Sequence, residues 1–184
     1  MSVIKNNPLL GEFKTPHQTA PFSEIKNEHF MPAFLEAIKT GESEIEAIVN
    51  NTAEPTFENT VVALDNSGRL LNRVSGVFFN LMNAETNDEL QNIAQEVSPL
   101  LTKFGNDINL NPALFSKVKT VYQQKESLGL TAEQQTLLEN TFSGFIRQGA
   151  NLDEDQKVKF RQISTELSKL TLTFDENLLK ETNN

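Results

Sequence analysis

The sequence predicts an all-α fold of about six mostly antiparallel helices. In six successive segments, apolar residues recur three or four positions apart, which is the period of one helix face and differs from the two-residue alternation of a strand. Residue types that begin helices stand in the gaps between these segments. The gaps are short, and short connections favour antiparallel neighbours.

The first 22 residues differ from the rest of the chain, because they show no apolar period. Their turn-forming residues are Pro8, Gly11, Pro16 and Pro21. We therefore expect residues 1–22 to form an extended arm that lies on a surface, and residues 23–184 to form one helical domain. The first residues lack the apolar core of a signal peptide, which favours a cytoplasmic protein.

Three apolar stripes follow the arm. The first consists of Phe30, Phe34, Ile38, Gly41, Ile45 and Ile48. The second consists of Phe57, Val61, Leu64, Gly68, Leu71, Ser75, Phe78 and Met82, and the third of Leu90, Ile93, Val97, Leu101, Phe104 and Ile108. Within the second stripe, Gly68 and Ser75 are small enough for close helix contact, or Gly68 simply weakens an exposed turn. Thr86 and Glu89 have capping-box spacing before the third stripe.

Three further stripes complete the pattern. They are Leu114, Val118, Val121 and Tyr122; then Leu138, Phe142, Phe145 and Gly149; and last Phe160, Ile163, Leu167, Leu170, Phe174 and Leu178. Each has a helix-start signal in front of it, namely Asn111 before Pro112, Thr131 with Gln134, and Asp153 with Gln156. We expect one helix for each stripe.

The last stripe runs from about residue 153 through Leu179 without a glycine or proline stop. A helix of about 30 residues spans about 45 Å, which is longer than six short helices need to close one core. We therefore expect the chain to connect to further structure and the last helix to be under-packed. The side chains expected to stay exposed are Leu167, Leu170, Phe174 and Leu178, with self-association or a frayed end as the consequence.

Composition excludes several classes of protein. The 184 residues, 38% hydrophobic and 22% charged, are typical of a globular chain, and no apolar run is long enough to span a membrane. There is no cysteine for disulfides, thiolate metal ligands or a nucleophile. The net charge of −9 argues against a nucleic-acid partner. The densest basic group, Lys157, Lys159 and Arg161, follows three acidic residues and is expected to be a solvated face.

The sequence contains no complete catalytic or metal site. Its two histidines are His17, expected to be exposed in the arm, and His29. The positions three and four after His29 are Pro32 and Ala33, so the pair of imidazoles that holds zinc on a peptidase helix is absent. A serine triad would lack the strained glycine turn around its nucleophile. We expect no catalytic, cofactor-binding or metal-ligating residue in this chain.

Acidic residues cluster at Glu42, Glu44 and Glu46. Alternate spacing scatters these side chains around a helix, so they are expected to form a solvated face and not a metal or acid–base site.

Four blocks of the sequence resemble one family. Residues 27–34 (NEHFMPAF) look like the N-terminal signature of the thimet-oligopeptidase-like zinc peptidases, and residues 55–64 (PTFENTVVAL) resemble their second block. Residues 77–91 (VFFNLMNAETNDELQ) and 126–130 (ESLGL) are similar to the bacterial peptidyl-dipeptidase branch. The resemblance extends over nearly the whole chain, but members of this family continue for several hundred residues more.

The resemblance implies a large all-helical, two-lobed enzyme with a deep cleft, to which this chain would supply N-terminal helices. It also implies a zinc ion held by two histidines and a carboxylate in the missing catalytic domain, where a glutamate would take the proton from the attacking water. Short unfolded peptides would be the substrates. Release of C-terminal dipeptides is the first interpretation, and an endo-acting oligopeptidase is the alternative within the family. A free-standing helical interaction module is the alternative from another class. This chain alone is expected to bind no zinc and to cleave no peptide.

Overall fold

The computed structural model describes residues 6–182, apart from the side chains of residues 176, 179, 180 and 182. Its α-helices are α1 Phe30–Asn50, α2 Ala63–Asn66, α3 Arg69–Ala84, α4 Asp88–Asn109, α5 Pro112–Gln123, α6 Ala132–Arg147 and α7 Glu154–Thr182. All except α2 have at least 12 residues. The described residues contain no strand, so the predicted all-α class is confirmed.

Some parts of the predicted pattern stay predictions. The first five residues of the predicted arm and the Leu179 side chain at the end of the last stripe lie outside the described residues. The antiparallel arrangement and the division into an arm and one domain likewise stay expectations from the sequence.

The second stripe does not form the single helix that its spacing predicts. A π-helical turn, Phe57–Val62, leads into α2, and the helix then stops at Ser67 before α3 begins. Gly68 adopts a left-handed conformation with φ of 69°, and a Cβ atom added there would meet nothing within 4 Å. Gly68 therefore allows the helix to break at this position. Neither alternative from the sequence describes it: the glycine makes no close helix contact, and it does not lie in a continuous helical turn. After the break, Leu71 and Phe78 are buried as the stripe predicted, but Val74 is fully buried where the stripe had Ser75, which is half-buried.

Three of the four helix-start predictions are confirmed. The Asn111 side chain accepts hydrogen bonds from the backbone N–H groups of Ala113 and Leu114. Complete reciprocal caps link Thr131 with Gln134 and Asp153 with Gln156.

The predicted Thr86–Glu89 capping box is wrong. The N–H of Leu90 donates instead to Oδ1 of Asn87, one residue later than predicted, at 3.0 Å. The Thr86 hydroxyl contacts the sulfur of Met82. Asparagine is as good an N-cap as threonine, and the sequence offers both types at adjacent positions, so spacing alone could not choose between them.

The chain is divided into two compact units. The first comprises Met1–Glu42, Gly68–Leu101 and Ser168–Asn184, and the second comprises Ser43–Ser67 and Thr102–Leu167. In the first unit, the fully buried ring of Phe78 makes edge-to-face contacts with three other rings. The partners are Phe30, Phe34 and Phe79, at centroid distances of 5.0, 5.2 and 5.1 Å. This aromatic cluster joins α1 to α3.

The second unit has two apolar clusters. The larger buries side chains from α1, α5 and α6, including Ile45, Leu114 and Phe145. The other buries Phe57, Val61, Val121 and Leu138. Tyr122 stacks on Phe142 with a centroid distance of 4.0 Å, and Phe115 stacks on the same Phe142 at 5.9 Å. Side chains of the fourth and fifth predicted stripes therefore pack against each other.

The N-terminal arm is held on the first unit by specific polar contacts. Asn7 is buried, and its side-chain amide donates to the carbonyl of His29 at 2.7 Å while its Oδ1 accepts from the N–H of Leu9. Leu9 is fully buried, and its carbonyl accepts from the Arg73 guanidinium of α3 at 3.0 Å. The same guanidinium lies 5.0 Å from the ring centre of Phe13.

Replacing Arg73 with alanine should loosen this arm. It removes a charge-assisted hydrogen bond and a cation–π contact, and we expect the free energy of unfolding to fall by about 2 kcal/mol. Backbone amides of residues 7–13 should exchange with deuterium faster in the variant. Asn72→Ala, an exposed position on the same helix, is the control and should change neither measurement. Equal protection of the arm in both variants would contradict this role for Arg73.

Candidate functional site

The two histidines are placed in separate short turns. His17 is exposed, as predicted, in the 3-10 turn Pro16–Gln18 with a left-handed φ of 58°. His29 ends the turn Asn27–His29, where its Nδ1 accepts from the backbone N–H of Lys26 at 3.0 Å. One ring nitrogen of His29 is therefore engaged in a hydrogen bond that stabilises the turn before α1.

Among the described side chains, no group of three or more His, Asp or Glu residues is arranged to hold a metal ion. Glu42 and Glu46 are exposed and Glu44 is half-buried, in agreement with a largely solvated acidic face. The predicted absence of zinc binding stays a prediction.

Each unit contains an open cleft. The cleft in the first unit lies along the arm between Pro8 and Glu24. The one in the second unit is lined by Lys125, Glu139 and neighbouring residues. Lys125 forms an ion pair with Glu139 at 3.0 Å and lies 5.0 Å from the ring centre of Tyr122. Its hydrogen bond to the Glu139 carboxylate raises the pKa of Lys125 above the usual value. The ion pair therefore favours the charged ammonium form of Lys125.

The basic group at the start of α7 is not the solvated face that the sequence predicts. Lys159 is exposed, but Lys157 is buried, and its Nζ lies 2.9 Å from Oε1 of Glu154. Arg161 donates to Asp107 of α4 at 2.6 Å. Lysine can bury its aliphatic stem while its ammonium group reaches a carboxylate near the surface, which charge counting does not reveal.

The most unusual surface of the described chain is a stripe of large apolar side chains along α7. Its members and their exposed fractions are Ile163 65%, Leu167 60%, Leu170 60%, Phe174 65% and Leu178 54%. The sequence predicted four of them to be exposed, and this is confirmed; Ile163 extends the stripe by one turn. We call these five residues the α7 stripe.

The α7 stripe lies on one side of its helix. At about 100° per residue, its five positions fall within an arc of roughly 80°, and they extend over about 22 Å. Fully burying one such side chain stabilises a protein by about 1.5–3 kcal/mol, so a stripe of five facing water is unfavourable. Contiguous exposed apolar surface commonly marks an interaction site.

Within the second unit, another side of the first part of α7 packs on α4. Ser164 accepts a hydrogen bond from the side-chain amide of Asn106 at 2.9 Å, close to the Arg161–Asp107 pair. Given the same helical turn of about 100° per residue, this packing side is centred roughly 110° away from the α7 stripe. The helix therefore rests on polar contacts, while its most apolar side faces solvent.

No helix in the described part of the chain is long and apolar enough to cross a bilayer.

The chain matches the family model "Neurolysin/Thimet oligopeptidase, N-terminal domain" over residues 33–157. It is 43% identical to the dipeptidyl carboxypeptidase of Salmonella typhimurium over 96% of this chain and 26% of that protein. The Escherichia coli dipeptidyl carboxypeptidase is 42% identical over 94% of this chain and 25% of the relative. Oligopeptidase A of Salmonella typhimurium is 26% identical over 96% of this chain and 25% of its own length. The chain thus spans about a quarter of the relatives that it matches.

Proposed function

The chain belongs to the neurolysin and thimet oligopeptidase family, and on that premise we propose that it forms the N-terminal helical region of a zinc-dependent peptidyl-dipeptidase. The longer protein would release dipeptides from the free C-termini of short, unfolded peptides. The observation that carries this proposal is the higher identity to two dipeptidyl carboxypeptidases than to oligopeptidase A over the same length of chain. We extend the proposal to a cytoplasmic location.

The catalytic groups belong, in this proposal, to the part of the longer protein outside these 184 residues. As the family resemblance implies, zinc would be held beyond this chain, in the second lobe of a two-lobed enzyme. The specificity for dipeptides also needs a cationic or hydroxyl group that binds the free carboxylate of the substrate. We assign that group to the longer protein as well. The helices described above would then contribute to the wall of the substrate cleft.

The longer protein should cleave a pentapeptide with a free C-terminus and nearly fail to cleave its C-terminally amidated counterpart. Amidation removes the carboxylate charge on which dipeptide release depends, and a loss of at least a hundredfold in kcat/KM is expected, which corresponds to about 2.7 kcal/mol. Mass spectrometry of the products gives the cleavage position as well as the rate. A metal chelator should abolish cleavage, and added zinc should restore it.

Two results would redirect the assignment. Equal cleavage of both peptides would move the protein to the endo-acting oligopeptidase branch. Chelator-resistant cleavage would overturn the proposed zinc dependence.

The exposed α7 stripe favours one second candidate, a free-standing helical module that binds another protein. A reading frame that continues beyond Asn184 into a His-Glu-x-x-His helix would support the peptidase. A reading frame that stops without such a helix would support the module.

A further inference from the structure

We infer that the α7 stripe is the surface on which the remainder of the longer protein packs. The inference rests on the proposed function in one respect, namely that this chain is part of a longer polypeptide. The occupant is the segment equivalent to the approximately three quarters of the dipeptidyl carboxypeptidase relatives that this chain does not cover. It must present an apolar surface, such as the hydrophobic face of one or two helices, to match the five apolar side chains of the α7 stripe.

The hydrogen bonds that α7 makes to α4 are the first observation in favour of this inference. The packing side of α7 is already occupied by Asn106 and Asp107 of α4, through bonds to Ser164 and Arg161. Rotating α7 about its axis to bury the stripe against the helices that it already contacts would therefore break these hydrogen bonds. A second surface that comes to α7 from outside buries the stripe and leaves the bonds in place.

The dimensions of the stripe argue against a second copy of the chain as the occupant. A surface about 22 Å long and about 10 Å wide offers a footprint of a few hundred Å², whereas stable association of separate proteins buries about 800 Å² on each side. Two copies would also bring together net charges of −9 each. A segment joined to the chain by a covalent linkage needs less contact area, because its effective concentration at the stripe is high.

The charges around the stripe argue against a lipid surface. Helices that lie in a membrane interface carry mostly Lys and Arg on their polar side. On α7, the acidic Glu166 and Asp175 flank the stripe on opposite sides and are both exposed. Lys159 and Lys169 of the same helix are also exposed, so the polar surface of α7 carries both signs of charge and lacks the mostly basic composition that an anionic membrane attracts.

Thiol labelling tests the inference, because the chain contains no cysteine of its own. Leu170→Cys and the control Thr173→Cys each introduce one thiol on α7, and both positions are exposed in this chain. They are three residues apart but roughly 60° apart around the helix. Each variant is made in the 184-residue chain and in the longer protein. The rate at which a thiol reagent modifies the α7 peptide is measured by mass spectrometry. In the longer protein, labelling at position 170 should slow at least tenfold and labelling at position 173 less than threefold.

A second pair of variants separates contact from distortion by the new side chain. Leu170→Glu should lower the melting temperature of the longer protein by several degrees but leave the 184-residue chain unchanged, since Leu170 is already exposed there. Thr173→Glu adds the same charge and should change neither protein.

Three outcomes would overturn the inference. The first is equal labelling at position 170 in both proteins. The second is protection that appears in the 184-residue chain as its concentration rises, which would assign the stripe to a second copy. The third is protection that requires added anionic vesicles, which would assign it to a lipid surface.

The peptidase assay is independent of labelling, so the two proposals can fail separately. Dipeptide release with an unprotected position 170 would remove the docking inference alone. A protected position 170 in a protein without peptidase activity would remove the proposed function alone.

Discussion

Replacing Phe78 with alanine is expected to lower the free energy of unfolding by about 3–5 kcal/mol. The Phe78 ring is fully buried and touches three other aromatic rings, at centroid distances between 5.0 and 5.2 Å. Alanine would leave a cavity between α1 and α3 and remove all three edge-to-face contacts, each of which contributes about 0.5–1.5 kcal/mol beyond burial. Urea unfolding followed by circular dichroism measures the loss.

Phe22→Ala is the matched control for Phe78. The Phe22 side chain is 52% exposed, so its removal should cost less than about 0.5 kcal/mol. If Phe78→Ala does not fold, Phe78→Leu retains most of the apolar volume and should cost about 1–2 kcal/mol. Equal costs at positions 22 and 78 would contradict the central role of the aromatic cluster.

Gly149→Ala should be the second most destabilising change, at about 2–5 kcal/mol. Gly149 has φ of 90°, and a Cβ atom there would approach Cδ1 of Leu152 to 2.8 Å and Cδ2 of Leu110 to 3.3 Å. A left-handed backbone costs an L-residue about 1–2 kcal/mol, and overpacking a buried site adds about 1–3 kcal/mol. The glycine closes α6, where the N–H of Ala150 donates to the carbonyl of Phe145 and the N–H of Gly149 to that of Ile146.

Gly144→Ala is the control for Gly149→Ala. Gly144 lies inside α6, and a Cβ atom there would meet nothing within 4 Å. Alanine should therefore stabilise the protein by about 0.5–1 kcal/mol through its higher helix propensity. Thermal unfolding of both variants gives the comparison, and a Gly149→Ala protein as stable as the parent chain would refute the proposed steric and backbone constraint.

Gly149 and Gly68 show that the spacing of apolar residues does not predict the backbone conformation of a glycine. Both were assigned to apolar stripes, Gly68 within the second stripe and Gly149 as the last member of the fifth. In the structure, both have positive φ and lie at helix boundaries. Spacing reports which positions share a helix face, but a glycine is compatible with a helix face and with a left-handed break alike. The hydrogen bonds around each glycine favour the left-handed break over a continuous helix.

The candidate site was predicted in part from the sequence. The exposure of Leu167, Leu170, Phe174 and Leu178 follows from a stripe longer than a six-helix core requires, and the structure confirms it. The burial of Lys157 was missed, because its proximity to Glu154 and the shielding of its stem depend on how α7 is packed. A lysine three residues after a glutamate was the available signal, and it is equally common on solvated helices.

The sequence by itself determined the helical class, three of the four predicted caps, the family resemblance and the apolar stripe of α7. These properties follow from local chemistry, since a 3.6-residue period and a capping side chain act within one or two turns. Tertiary contacts determine where the second stripe breaks, which charged side chains are buried and which side of α7 packs on α4. Those properties depend on contacts between residues far apart in the chain, such as Asn106 with Ser164, and the period of a single segment contains no information about its neighbours.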